Sequence, residues 1–160
     1  MVIPMKRILV FSDSHGDIDI CADAIARIPA DVIIHAGDYV SDAERLAAMF
    51  PEKDIRYVQG NNDIWTKAPG ELVIEADGVR IFVAHGHGQR VKYEMNYATM
   101  AEAAAERGCS MAVFGHTHIQ YEGETDGVKL LNPGSTLYGG TYAIIEIENG
   151  RASTCIMQSM

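Results

Sequence analysis

The sequence has few cysteines, few positive charges and no long apolar run, and each shortage argues against a class of protein. Its three cysteines are odd in number and far apart, which argues against a disulfide framework and is typical of a reducing compartment. We expect each cysteine to be a small buried side chain. Thirteen Lys and Arg against 22 Asp and Glu give a formal net charge of −9, which argues against non-specific nucleic-acid binding.

No apolar run approaches membrane-spanning length, and Met1–Lys6 is too short and too broken for a signal peptide. We therefore expect a cytoplasmic protein without membrane contact. The 160 residues are 48% hydrophobic and 22% charged, which is ordinary for a globular protein with a full core. Because no repeat, linker or low-complexity tract interrupts them, the sequence predicts a single domain over residues 1–160.

The first half of the chain alternates predicted strands with predicted helices. Asp17 is expected to cap a helix over residues 18–28 that Pro29 ends, and Ser41 or Asp42 to cap a helix through Met49. This alternation predicts a parallel sheet with right-handed crossovers. Its strands are the apolar runs at residues 6–12, 31–36 and 55–58.

The second half predicts three hairpins, one helix and one further buried strand. Asp-Gly or Asn-Gly pairs at 77–78, 126–127 and 149–150 are typical of two-residue hairpin turns. The helix is expected over residues 93–107 with Gly108 as its stop, and the strand over residues 111–114. Together the two halves predict an α/β fold in which two mixed sheets pack together with the helices outside.

Five predicted strands end in polar clusters, where α/β sheets bind their ligands. Residues i and i+2 of an extended chain point the same way, so Asp13 and His15 can reach one ion. A carboxylate and an imidazole suit Mn, Fe, Zn or Ni better than Ca. If the sheets bring the strand ends together, one pocket holds seven ligand-type side chains: Asp13, His15, Asp38, Asn61, His85, His116 and His118.

Each of these motifs has an ordinary explanation when it is taken alone. Asp-x-His, Gly-Asp and Gly-Asn-Asn-Asp all occur in polar loops, whereas His-Gly-His and Gly-His-Thr-His are rarer because histidine is uncommon. Their ordered occurrence at strand ends favours a functional site. Of the six histidines only His35 falls outside these clusters, inside an apolar run, and we expect it to be a hydrogen-bonded core residue.

The ordered set of motifs resembles the calcineurin-like metallophosphoesterase superfamily over nearly the whole chain. The short length, the Gly-Asn-Asn-Asp block, His85-Gly86-His87 and the turn at residues 132–135 resemble its small YfcE-type phosphodiesterase branch. The resemblance implies a double β-sandwich flanked by helices, in agreement with the pattern above. The branch also includes the retromer scaffold subunit, so a protein-binding scaffold with weak catalysis is an alternative.

The resemblance also implies two divalent transition-metal ions, with manganese expected first and iron, zinc or nickel as alternatives. The first would bind Asp13, His15, Asp38 and His118; the second would bind Asp38, Asn61, His85 and His116, with Asp38 as the bridge. Two dications and two carboxylates leave the pocket a charge of about +2, which attracts a phosphate ester and activates a bridging hydroxide as the nucleophile. Because every ligand position is filled, we expect an enzyme.

Many relatives carry a general-acid histidine directly after the Gly-Asn asparagine, but this chain has Asn62 there. An amide cannot deliver a proton, so we expect a phosphodiesterase that prefers activated diesters, with a phosphomonoesterase as a further alternative. His87 is a candidate substitute acid or phosphate ligand. The expected partner is a small phosphate-ester substrate, and a homo-oligomer is possible. Trp65 is compatible with a substrate surface, a subunit surface or ordinary packing.

Overall fold

Two five-stranded sheets form the centre of the protein in a computed structural model, which describes residues 6–159. Met1–Met5, most of the segment in which we expect no signal peptide, lies outside the described residues. The first half of the chain forms three strands and two helices, as the alternating pattern predicts. They are β1 (Lys6–Phe11), α1 (Asp19–Arg27), β2 (Val32–His35), α2 (Val40–Met49) and β3 (Ile55–Tyr57).

The second half adds seven strands and one helix. They are β4 (Glu71–Ala76), β5 (Val79–Ala84), α3 (Ala98–Glu106), β6 (Met111–Val113), β7 (Tyr121–Thr125), β8 (Val128–Asn132), β9 (Thr141–Glu148) and β10 (Arg151–Gln158), with a single 3₁₀ turn at His87–Gln89. All three predicted hairpins form, and Asp77 and Gly78 have the positive φ angles, 50° and 86°, that a two-residue hairpin turn requires.

Both sheets mix parallel and antiparallel pairs. The first has the order β10-β9-β1-β2-β3, in which β1, β2 and β3 are parallel and β9 is antiparallel to β1. The second has the order β4-β5-β6-β8-β7, in which β5, β6 and β8 are parallel. The carboxyl ends of β1, β2, β5 and β6 carry most of the predicted ligands.

The main hydrophobic core lies between the two sheets. Alternate residues of β1 serve different layers, because successive side chains of a strand point to opposite faces. Ile8 and Val10 pack against residues of the second sheet such as Ile81, whereas Leu9 and Phe11 pack against α1. The helix α3 covers the outer face of the second sheet. This arrangement confirms the predicted double β-sandwich flanked by helices.

Two predicted helix starts are wrong. The helix α2 begins at Val40, so Ser41 and Asp42 lie inside its first turn, and the Val40 N–H is bound instead by the carboxylate of Asp63 at 2.7 Å. The helix α3 begins at Ala98 and not at residue 93, because the chain turns through Tyr97 at a φ of 54°. Gly108 ends α3 with a φ of 70°, as predicted.

Asp17 does not occupy the N-cap of α1, where Ile18 lies, although its carboxylate accepts a hydrogen bond from the Asp19 N–H at 3.0 Å. The cysteines also differ from expectation in one case. Cys21 and Cys109 are buried, whereas Cys155 is exposed because β10 is an edge strand with one face towards solvent.

Within residues 6–159 no helix has the length and apolar character needed to cross a membrane.

Candidate metal centre

The loops that follow four parallel strands are hydrogen-bonded to one another. The Asp13 N–H donates to the Gly37 carbonyl at 2.8 Å, which joins the loops after β1 and β2. The Gly115 N–H donates to the His85 carbonyl at 3.0 Å, which joins the loops after β5 and β6. The His116 N–H, in the loop after β6, donates to Asp13 Oδ2 at 3.0 Å and joins the two pairs of loops, so these strand ends meet at one edge of the sandwich.

Asp13 lies at the centre of this edge and is fully buried. Its Oδ2 accepts hydrogen bonds from the Ser12 hydroxyl at 2.6 Å and from the His116 N–H at 3.0 Å. Its Oδ1 has no hydrogen-bond partner among the described residues. Three imidazole Nε2 atoms face that oxygen, from His118 at 3.3 Å and from His15 and His85 at 3.7 Å.

His85 presents a second unpaired atom to the same space. Its Nδ1 lies 2.8 Å from the Ala36 carbonyl, so Nδ1 carries the proton and, in the neutral imidazole, Nε2 carries the lone pair. That Nε2 is buried, has no hydrogen bond within residues 6–159 and lies 3.4 Å from Asp38 Oδ2. A histidine fixed through one nitrogen by a backbone carbonyl is typical of metal ligands. Burial lowers the pKa of His85, but the Asp38 and Asp13 carboxylates outweigh burial and hold that pKa above its usual value in the absence of a metal ion.

Asp38 is held by the residue that follows Asn61. Asn62 donates its backbone N–H to Asp38 Oδ1 at 3.1 Å and its side-chain Nδ2 to Oδ2 at 2.7 Å. Burial raises the pKa of Asp38, but the nearby His85 imidazole and two hydrogen bonds from Asn62 outweigh burial and hold that pKa below its usual range. Asp38 is therefore ionised at neutral pH.

These side chains form two overlapping groups with ligand atoms within 4.8 Å of one another. One contains Asp13, His15 and His118, and the other contains Asp13, Asp38 and His85. Buried carboxylates that face unpaired imidazole nitrogens cost free energy unless a cation joins them, so the donor set fits divalent transition metals. The two groups share Asp13, whereas the resemblance places the bridge at Asp38.

His116 and Asn61 complete the predicted ligands. The His116 ring lies 5.0 Å from the His85 ring, and burial lowers the pKa of His116 to about 4, which keeps the imidazole in the neutral form that binds metals. Asn61 is exposed. Within residues 6–159 no side-chain hydrogen bond ties Asn61 to the site, and its role as a ligand stays a prediction.

Backbone geometry at this edge is unusual and explains two of the glycines. A Cβ at Gly60 would collide with the Asp38 carboxylate, and a Cβ at Gly115 with Ser12 Oγ and Asp13 Oδ2. Only a bare backbone can approach these carboxylates so closely. Four predicted ligands have positive φ angles of 45–70°, which few non-glycine residues adopt: Asp13, His15, His116 and His118.

A buried network supports the Asp13–His15 turn, and sequence reasoning missed it. The Gly37 N–H donates to His35 Nδ1 at 3.3 Å, so His35 Nε2 donates to Ser14 Oγ at 2.8 Å. Ser14 in turn donates to Asp42 Oδ2 at 2.6 Å, and that oxygen also accepts the Gly16 N–H at 2.8 Å. The prediction that His35 is a hydrogen-bonded core residue is confirmed.

Aromatic rings border the site. Tyr138 stacks on His118 with ring centroids 5.1 Å apart, and Tyr39 meets the His15 ring edge at 5.2 Å. Tyr39 directly follows Asp38, which could have indicated it, whereas nothing in the sequence signals Tyr138. The exposed His87 ring lies 5.6 Å from His85 and 6.1 Å from His116, beside the predicted second metal.

Comparison with known proteins identifies the family of this chain. The sequence matches the calcineurin-like phosphoesterase superfamily domain over residues 5–150. It is 32% identical to the probable metallophosphoesterase YsnB of Bacillus subtilis, with 92% of this chain and 88% of that protein covered. It is 29% identical to a phosphodiesterase of Methanocaldococcus jannaschii, with 80% of this chain and 82% of that protein covered.

Solved structures show the same architecture. A predicted phosphoesterase from Streptococcus pneumoniae superimposes with a TM-score of 0.79 at 27% identity, covering 98% of this chain and 91% of that one. Vacuolar Protein Sorting 29 from Cryptosporidium parvum gives 0.73 at 15% identity over 96% and 97%, a likeness of fold alone. The family model matches nearly the whole chain, and the chain has the same fold as the Streptococcus pneumoniae protein. The chain therefore belongs to the calcineurin-like phosphoesterase superfamily.

Proposed function

We propose that the protein is a phosphodiesterase that uses two divalent transition-metal ions. The observation that carries the proposal is the pair of buried atoms without hydrogen bonds, Asp13 Oδ1 and His85 Nε2, which face each other at 3.7 Å. The first ion would bind Asp13, His15, Asp38 and His118, and the second Asp38, Asn61, His85 and His116. Manganese is the first expectation, with iron, zinc and nickel as alternatives.

When bound, the two ions would activate water as the nucleophile and neutralise charge on the phosphate. The protein's residues have distinct tasks around them. Asp13 and Asp38 supply the negative charge that holds the cations. Because the histidine ligands are neutral, the charge of two dications would exceed that of the two carboxylates, and the net positive charge would attract the ester. Asn62 orients Asp38 through two hydrogen bonds. His87, whose ring lies 5.6 Å from that of His85, is the proposed phosphate ligand or general acid.

A diester is preferred over a monoester for two reasons. Asn62 stands where many relatives carry a general acid, and its amide, which is engaged with Asp38 at 2.7 Å, cannot release a proton. The relative from Methanocaldococcus jannaschii is named a phosphodiesterase. Activated diesters, whose leaving groups depart without a proton, therefore suit this site best.

The alternative of a protein-binding scaffold is supported only by likeness of fold, whereas the ligand side chains favour catalysis. We include in the proposal a single domain over residues 1–160, a cytoplasmic location, a small phosphate-ester substrate and a possible homo-oligomer.

The test is hydrolysis by protein whose metals are quantified. Manganese-loaded protein should hydrolyse bis(p-nitrophenyl) phosphate faster than p-nitrophenyl phosphate, and a chelator should abolish both activities. The variant His85→Ala, which removes a proposed ligand, should lose the activity, while Cys155→Ala, on the exposed edge strand, should keep it. Absence of turnover with both metal sites filled would contradict the proposed enzyme and favour the scaffold.

A further inference from the structure

Trp65 is the most conspicuous apolar side chain that the proposed mechanism does not use. It is the chain's only tryptophan, it is 98% exposed, and its φ of 67° is rare for a bulky residue. Ile64 beside it is 72% exposed. Internal packing therefore does not account for the position of either side chain.

The loop that carries Trp65 is fixed near both ends. Gln59 donates its N–H to the Pro69 carbonyl and its Nε2 to the Ala68 carbonyl, both at 2.9 Å. Asp63 accepts the Gly60 N–H and the Val40 N–H, both at 2.7 Å. The indole is thus presented by a preorganised backbone, which lowers the ordering cost of any contact that it makes.

A surface depression, here called the Trp65 trough, lies beside this indole and begins next to residues that contact the proposed metal ligands. It consists of two cavities of about 310 and 680 Å³ that share the walls formed by Val40, Glu44, Trp65 and Thr66. Its inner end contains Tyr39, whose ring meets His15, and Asn62, which binds Asp38. Its outer end contains Arg56, Tyr57 and Lys67.

We propose that the Trp65 trough binds a flat aromatic group, such as a nucleobase, that the phosphate ester carries. The inference rests on the proposed function and narrows its substrate class. With the phosphate at the proposed metal centre, the rest of the bound ester would extend past Tyr39 and Asn62 into the trough, where the exposed indole offers a face for stacking. A nucleobase gains more from stacking on the indole than a sugar or a small alkyl group gains from contact with it.

Two ligands that differ only in the base test this inference. Thymidine 5′-monophosphate and 2-deoxyribose 5-phosphate are titrated calorimetrically into metal-loaded protein. We expect the nucleotide to bind the wild type about tenfold more tightly, because stacking on one aromatic side chain has that magnitude. In Trp65→Ala the ratio of the two affinities should fall to about one. Trp65→Phe keeps an aromatic ring, so it should retain most of the wild-type preference for the nucleotide.

The single tryptophan supplies an independent readout. The nucleotide should change Trp65 fluorescence in a saturable way, and the sugar phosphate should not. Tyr93→Ala is the matched control, because it removes an 80% exposed ring that lines neither cavity, and it should keep the wild-type ratio. Since Trp65 is exposed, Trp65→Ala should unfold at the wild-type temperature.

The outcomes separate this inference from the proposed function. A wild type that binds both ligands equally or binds neither, or a Trp65→Ala variant with an unchanged ratio, would overturn the role of the trough even if bis(p-nitrophenyl) phosphate is hydrolysed. A Trp65-dependent preference for the nucleotide without any diester hydrolysis would support the trough and contradict the proposed enzyme.

Discussion

Single side chains at the metal centre differ in how much of the site depends on them. Asp13 and Asp38 are buried carboxylates with several partners each, whereas His118 lies at the solvent side and contacts the exposed Tyr138. Removing one partner of a buried charged cluster leaves the others uncompensated, which costs more than the loss of one peripheral contact.

Asp38→Ala should lose both metal ions and essentially all turnover, because the proposed bridge holds the two sites together. His118→Ala should mainly weaken the first site and keep the second ion. Elemental analysis of the purified variants under metal-replete conditions measures both effects. Equal metal content in wild type and Asp38→Ala would show that Asp38 is not the bridge, and loss of both ions from an Asp13→Ala variant alone would assign that role to Asp13, which both observed donor groups share.

The sensitivity of the hydrolysis rate to the leaving group should depend on Asn62 and His87. We expect the rate to fall steeply as the leaving-group pKa rises across a series of aryl diesters, because the Asn62 amide cannot protonate the departing oxygen. General acids typically contribute about 10²–10⁴-fold, so Asn62→His should flatten the dependence. Rates of wild type, Asn62→His and His87→Ala across the series give the slopes. A shallow wild-type slope that becomes steep in His87→Ala would instead make His87 the acid.

Elements of the fold place these side chains through the turns that join them. The loop after β1 carries both Asp13 and His15 at positive φ, and the start of α2 supplies the Asp42 carboxylate that holds this loop through Ser14 and Gly16. The helix therefore does more than cover the sheet, because its first turn fixes the geometry of two proposed ligands.

Asp42→Ala tests this coupling between α2 and the β1 loop. The change leaves the Ser14 hydroxyl and the Gly16 N–H without their acceptor, so it should cost about 1–3 kcal/mol of unfolding free energy. It should also weaken the first metal site more than the second. The matched control is Asp23→Ala, which removes only an exposed pair with Arg27 on α1 and should cost less than about 1 kcal/mol. Denaturant unfolding and site-resolved cobalt spectra measure the two effects.

If the cobalt spectra of Asp42→Ala matched those of the wild type, the network of Ser14, His35 and Asp42 would stabilise the fold without affecting the metal sites.

Across the whole molecule, the proposed metal ligands come from both sheets. Asp13 and Asp38 come from the first sheet and His85, His116 and His118 from the second, so ions bound between them cross-link the sandwich. A ligand that binds only the folded state stabilises that state by mass action.

Metal binding should therefore raise the melting temperature. At 100 times the dissociation constant, one ion contributes about 2.7 kcal/mol, which corresponds to a rise of roughly 5–10 °C for a chain of this size. Calorimetry of chelated and manganese-loaded protein measures the rise. Asp38→Ala should show little of it. An equal rise in that variant would place the stabilising ions elsewhere.

The sequence by itself determined the layers of the fold and pointed to the residues of the candidate metal site. Apolar runs and Asp-Gly or Asn-Gly turns are local signals, and they predicted the strands, the hairpins and the polar clusters at the strand ends. Helix starts were less predictable. The first N–H of α2, from Val40, donates to the carboxylate of Asp63, which lies 23 residues away along the chain. Its cap is a tertiary contact that no local pattern contains.

Only the tertiary structure decided which atoms of these residues meet. It fixed the His85 tautomer through the Ala36 carbonyl, left Asp13 Oδ1 unpaired, and placed Asn62 rather than Asn61 against Asp38. It also joined Ser14, His35 and Asp42, and placed Trp65 and Asn62 in the wall of one depression. These relations depend on how the two sheets pack and on how loops distant in sequence hydrogen-bond to each other, and residue order along the chain does not specify such contacts.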